Sequence, residues 1–192
     1  MKTILKLTLL GFVASLLSSC GYNAMVEKDE SVKAQWGQVQ NVYQRRADLI
    51  PNLVRTVKGA AAHENETLVA VTEARAKATS VNIDASKLTP AAIKRFQSAQ
   101  DGLTAALSKL LVVIEKYPDL KANENFLQLQ GQLESTENRI TVERMRFNDT
   151  VKEYNSYIRK IPQIIVARIT GFDERGYFES DKKAEKVPEV EF

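Results

Sequence analysis

Apolar residues recur at three- and four-residue steps over most of this chain. From Trp36 the series runs Val39, Tyr43, Ala47, Ile50, Val54, Val57, Ala61, Leu68 and Val71, with polar Glu64 at one step. That spacing predicts amphipathic helix. A second stretch opens with Thr89-Pro90, a capping residue followed by proline at the first helical position. It continues through Ile93, Phe96, Leu103, Leu107, Leu110, Ile114 and Tyr117, and Pro118 stops it. A third begins near Asp119, uses Phe126, Leu129, Leu133, Ile140, Phe147, Val151, Tyr154, Ile158 and Ile161, and ends at Pro162. Gln163 to Thr170 predicts a short further helix before Gly171, and Thr79 to Leu88 is the clearest loop. No alternating apolar run of any length precedes residue 162, so no sheet is expected. Helices with one apolar stripe must bury it against each other. The expected fold is therefore all-α, an antiparallel up-and-down bundle. Phe172, Tyr177 and Phe178 should pack back on it as an irregular aromatic segment.

Pro51 interrupts the first stretch, within YQRRADLIPNLVRTVKG. The apolar rhythm keeps phase across it, which favours one helix kinked at the proline. A kink there strips the Ala47 carbonyl of its helical partner, at about 3 kcal/mol unless another donor replaces it. The opposing signal is Asp48, which as an N-cap would start a new helix with Pro51 in its first turn. Gly59 offers a second possible break.

The first residues change the cellular setting. Lys2 and Lys6 precede an apolar run from about Leu7 to Leu17, too short to span a bilayer and suited to a secretory leader. It ends in Leu17-Ser18-Ser19-Cys20, which resembles a bacterial lipobox. Cys20 is the only cysteine, so it can form no disulfide within the chain, and lipidation is its expected role. Gly21 stands where an aspartate would retain a lipoprotein at the inner membrane, which points to the outer one. The organisation expected is a leader over 1–19, a bundle domain over 20–178 and a mobile charged tail over 179–192. Losing Lys2 and Lys6 with the leader reduces the net charge from +3 to +1. No strong basic excess remains for nucleic acid.

Catalytic readings find little support. His63-Glu64 lacks the second histidine a zinc hydrolase needs, since the chain has one histidine. There is no nucleophile elbow and no glycine-rich phosphate loop. No metal, cofactor or catalytic residue is expected. Asn65-Glu66-Thr67 and Asn148-Asp149-Thr150 match the N-glycosylation pattern, which carries no weight behind a bacterial lipobox. Polar residues intrude on or beside the apolar stripes at Arg46, Glu64, Arg75, Gln100, Glu137 and Arg144. Inside a bundle they would form ionic layers that set helix register. The alternative is a binding site for a small anionic or peptide ligand near one end of the bundle, with Arg45, Arg46, Asp48 and Asn52 beside Glu137, Asn138 and Arg139. Adjacent arginines could clamp a carboxylate or phosphate.

YQRRADLIPNLVRTVKG, the following Ala62-His63-Glu64, and YPDLKANENFLQLQGQLESTENRI from Tyr117 to Ile140 together resemble the LemA family. The likeness continues through Arg144, Asn148, Tyr154-Asn155 and the closing GFDERGYFE. It implies a four-helix bundle, and hence a division of the first stretch between Arg46 and His63, with Pro51 in that interval. It also implies a membrane-anchored protein whose bundle faces away from the cytoplasm, with no enzymatic activity attached. The apparent lipobox departs from the spanning helix commoner in that family. The expected role is that of a lipid-anchored envelope adaptor or scaffold acting through an unidentified protein partner, not an enzyme.

Overall fold

A computed structural model describes residues 2–61 and 64–179, with side chains from Gly21 onward except that of Ala60. The side chain of the lipidation candidate Cys20, His63 and the expected tail from residue 180 lie outside the described residues, and Glu179 is the last one placed. The elements in chain order are α1 (Lys2–Ala60), α2 (Asn65–Ser80), α3 (Pro90–Ile114), α4 (Pro118–Lys121), α5 (Glu124–Ile158) and α6 (Gln163–Thr170). Among the described residues there is no strand. Helix α1 packs most extensively on α5, and α2 packs on α3. The two short helices, α4 and α6, sit in the connections at opposite ends of α5.

Local chemistry accounts for the boundaries. Thr89 caps α3, its hydroxyl accepting from the Ala92 amide at 3.2 Å with Pro90 behind it. The third stretch is not one helix from Asp119. A single turn from Pro118 precedes Asn123, whose side chain accepts from the Phe126 amide at 3.2 Å and starts α5. Helix α6 ends at Gly171, which takes φ 78°, while the amides of Gly171 and Phe172 both donate to the Ala167 carbonyl. A left-handed residue here reverses the chain at the cost only glycine avoids.

Pro51 does not divide the first stretch. Helix α1 continues through it to Ala60, and the break to α2 falls at Ala61 to Glu64. The division therefore lies at the far edge of the interval that the family likeness implied. The reason is visible in the hydrogen bonds. Arg75 of α2 donates its Nε–H to the Ala47 carbonyl at 2.7 Å, filling the place of the amide that Pro51 lacks. The proline gap thus becomes a tie between α1 and α2.

The core forms two apolar clusters stacked along the bundle. One gathers Met25, Val32, Trp36, Val39, Tyr43, Phe96, Ile140, Phe147, Val151, Tyr154 and Phe178. The other holds Ile50, Leu53, Val57, Leu68, Val71, Leu103, Leu110, Ile114 and Phe126. Within the first, Trp36 meets Phe96 at 5.1 Å and Phe147 at 5.6 Å between ring centroids, and Phe178 closes the group from the C-terminal segment. Such offset and edge contacts add to simple burial.

The Arg75 tie makes a double-mutant prediction. Arg75→Met should destabilise the protein by about 1–3 kcal/mol, because the Ala47 carbonyl loses its donor. In a Pro51→Ala background the same change should cost clearly less, since the restored amide at 51 can bond Ala47. Urea unfolding of the four variants reads the coupling, and equal costs in both backgrounds would exclude this role for Arg75.

Candidate functional site

Between the two apolar clusters lies one layer of polar side chains centred on Arg46. Its phase on α1 places it with Tyr43, Ala47 and Ile50 on the inward face, and it is only 2% exposed. Its Nη1 donates to Glu137 Oε2 at 2.9 Å on α5 and to the Thr104 hydroxyl at 3.0 Å on α3. Its Nη2 donates to the Gln100 side-chain oxygen at 2.7 Å. The Gln100 amide nitrogen in turn donates to the Ala78 carbonyl near the end of α2, at 3.3 Å. One guanidinium therefore touches α1, α3 and α5 directly and reaches α2 through a glutamine. The Tyr43 ring lies against it, 5.1 Å from centroid to guanidinium carbon. Burial is the leading cause that pushes the Tyr43 hydroxyl up to about 12, against the opposing fields of Arg144 and Arg46.

The remaining residues of the proposed anion site do not converge. Arg45, one step round the helix from Arg46, is exposed. Adjacent helical residues project about 100° apart, so the pair cannot fork one ligand. Asp48 is exposed and accepts from Gln44 at 2.7 Å, one turn back on α1. Asn52 accepts from Arg55 on the same helix and borders a shallow groove with Gln128 and Gln132 of α5. Asn138 and Arg139 lie on another face of α5, beside Glu134, Val142 and Arg146. Glu137 is the one α5 member that meets an arginine of the set, and it does so inside the layer. The open cleft nearest that layer, about 240 Å³, is lined by Gln40, Tyr43, Gln44, Thr79, Asn82 and Gln100 among others, without either arginine.

A second polar system holds the C-terminal segment down, and its roles were not anticipated from the sequence. Three carboxamides each grip one residue's backbone through both its donor and its acceptor. Asn155 bonds the Arg175 amide and carbonyl, each at 2.9 Å. Asn148 does the same to Phe178, again at 2.9 Å. Gln97 of α3 holds Glu179 at 3.0 Å in both directions, and Arg144 adds a bond of 2.8 Å to the Glu179 carbonyl. Arg175 reaches across to Asp29 of α1 at 2.7 Å, a largely buried pair, and to the Ser86 carbonyl at 2.6 Å. Tyr154 donates to the Asp173 carbonyl at 3.0 Å, and burial pushes its hydroxyl up to about 12. Gly176 has no room for a side chain, since a Cβ there would stand 2.6 Å from the Pro90 Cα. The signal for this clamp was present in the sequence as Asn148 and Asn155, seven residues apart on the face that carries Val151 and Tyr154.

Two measurements test the layer. Arg46→Met should destabilise by about 3 kcal/mol, because Gln100 and Thr104 lose a buried partner. Glu137→Gln should cost under about 1 kcal/mol, since Glu137 is 49% exposed and water can serve it. The raised Tyr43 value also has a sign. A hydroxyl that ionises later in the folded state contributes stability present below about pH 10 and lost as pH rises toward about 12. Tyr43→Phe should therefore flatten the alkaline loss of stability measured by urea unfolding, while leaving stability at neutral pH little changed.

Three relatives place this chain among known proteins. It is 28% identical over 209 positions to the magnetosome protein MamQ of Magnetospirillum gryphiswaldense, an alignment covering 98% of this chain and 74% of that one. Magnetosome protein MamQ 2 of Paramagnetospirillum magneticum is 27% identical, over 95% of this chain and 72% of its own. Protein LemA of Metamycoplasma hominis is 28% identical over 136 residues, covering 71% of this chain and 58% of that relative. Residues 35–192, from the helix before Arg46 through the C-terminal segment, match the LemA family, and the chain belongs to that family.

Proposed function

We propose that this protein is a membrane-associated envelope protein, anchored at its N-terminal end through lipidated Cys20, whose bundle acts by binding another protein and not by catalysis. The observation that carries the reading is the continuity of α1. It runs without interruption from the leader region into the bundle core and ends at Ala60. From Gly21 to Ala60 a helix rises about 60 Å. An anchor at Cys20 would then hold the far end of the bundle at a set distance from the membrane. At that far end Val69, Val112 and Leu127 are each at least half exposed, on α2, α3 and α5. The runner-up, an anion-binding module, loses its central residue to the interior, because Arg46 is engaged by Glu137, Thr104 and Gln100. Among the described residues no group of histidine, cysteine, aspartate and glutamate is disposed to hold a metal ion. No helix among them is long and apolar enough to cross a membrane.

A photo-crosslinking residue at 69, 112 or 127, introduced into the full chain in intact envelopes, should capture one reproducible protein. Cys20→Ala should release the chain from the membrane fraction and abolish that capture. Unchanged fractionation of the alanine variant would refute lipidation. Capture of nothing reproducible from any of the three positions would count against the adaptor role.

A further inference from the structure

Helix α6 presents a face that nothing among the described residues covers. Ile161 just before it, and Ile165 and Ile169 within it, are 86%, 59% and 80% exposed. Ile165 and Ile169 stand four residues apart in the helix and so share one side, while Ile161 lies in the turn that leads into it. Opposite them, Ala167 is buried against the core, with Val166 packed beside it. From Arg159 to Thr170 the charged residues are Arg159, Lys160 and Arg168, with no acidic residue among them. The nearest acidic partner outside that run is Glu174, 3.5 Å from Arg159, and both of those side chains are more than half exposed.

The position of α6 says what meets that face. The helix packs on α1, and Phe172, just after its end, sets its ring edge-on to Tyr22 at 5.8 Å. Lys28 of α1 is level with the end of α5, its ammonium 5.8 Å from the Tyr157 ring and 3.4 Å from Glu153. Helix α6 therefore closes the end of the bundle from which the N-terminal apolar run projects. Tyr22 and Val26, the α1 residues of that end, are themselves 43% and 36% exposed.

We propose that α6 is a membrane-contacting helix. It lies in the plane of the bilayer surface, with Ile161, Ile165 and Ile169 at the acyl boundary and Arg159, Lys160 and Arg168 among anionic headgroups. An apolar stripe flanked by cations is the pattern that such helices use. The proposal rests on the membrane-associated reading above. It adds a second contact beside the anchor, and two attachments would restrain the tilt that a single flexible tether leaves free. A protein surface or a second copy of this chain is the competing occupant, but neither accounts for a run of three cations with no acidic residue inside it, beside the end that the anchor at Cys20 would hold to the membrane.

The test uses the mature chain lipidated at Cys20 and bound to vesicles of phosphatidylcholine and phosphatidylglycerol, with Ile165→Trp as the probe and Ile169→Trp as its duplicate. Native Trp36 is fully buried and supplies a constant background. Brominated acyl chains should reduce the added emission at either position by about twofold or more. Val112→Trp, at the far end of α3, should lose almost none. In pure phosphatidylcholine the loss at 165 should weaken. No loss at 165 and 169 while the chain still floats with vesicles would overturn the α6 contact and leave the anchor intact. Failure to float would defeat the membrane reading itself, and the α6 proposal with it. Equal loss at 112 and 165 would overturn the specific geometry. A blue shift at 165 that depends on protein concentration and not on vesicles would assign the face to a second copy.

Discussion

The buried guanidinium of Arg46 is the interaction on which the arrangement of the helices turns. Apolar packing is tolerant of sliding, because one leucine can replace another against a flat stripe with little loss. A charged group with fixed donor directions is not. Arg46 sits where the two apolar clusters meet and needs Gln100 and Thr104 of α3 and Glu137 of α5 at the same level. A slip of one turn in either helix would leave a buried charge without partners, at a cost larger than any gain from repacking. The layer contributes a unique register more than it contributes stability, and Gln100 extends that register to α2 through Ala78.

The other ties repeat the same logic with neutral groups. Where Pro51 opens a gap in the helix ladder, Arg75 closes it from a neighbouring helix, so that a local defect becomes a long-range contact. Where the C-terminal segment leaves regular structure, its exposed backbone would be costly to bury. Asn148, Asn155 and Gln97 supply both a donor and an acceptor to it and stand in for a neighbouring strand. Phe178 can then enter the aromatic group around Trp36 without stranding its peptide groups. Gly176 lets the segment pass within contact of Pro90, where any side chain would collide with backbone.

How much of this the sequence disclosed depends on the range of the interaction. The all-helical fold, the Thr89 cap and the loop before it follow from spacing and local chemistry, which act over a few residues. Arg46, Gln100 and Glu137 could be marked as polar intrusions on apolar stripes, because periodicity shows which residues face inward. Which of them meet is set by the vertical alignment of separate helices, and periodicity carries no information on that. The anion-clamp reading joined residues that the helices hold apart, for a related reason. It grouped Arg45 with Arg46 and Asn138 with Glu137 by adjacency in sequence, whereas neighbours on a helix diverge. At Pro51 the phase argument for a continuous helix was sound. The replacement donor, Arg75, lies 28 residues beyond the Ala47 carbonyl that it serves, too far for a local rule to pair the two.

The distribution of satisfied and unsatisfied surface bears on how such a bundle can act. Its buried cations are committed: Arg46 to the layer, and Arg175 to Asp29 and Ser86. A ligand that competed for either would have to break the register or release the C-terminal segment, and each loss would exceed what a surface anion could return. Among the described residues, exposed apolar side chains occur toward both ends of the bundle, with Val142 and Met145 of α5 exposed between them. The isoleucines of α6 lie where α1 emerges from its N-terminal run, while Val69, Val112 and Leu127 lie toward the opposite end. Under the proposed function, a bundle fixed internally and contacted at its two ends would hold its anchor and its partner at a constant separation. Changing its length requires inserting whole turns in α1 and α5 together, because any smaller change would carry Arg46 out of reach of Glu137.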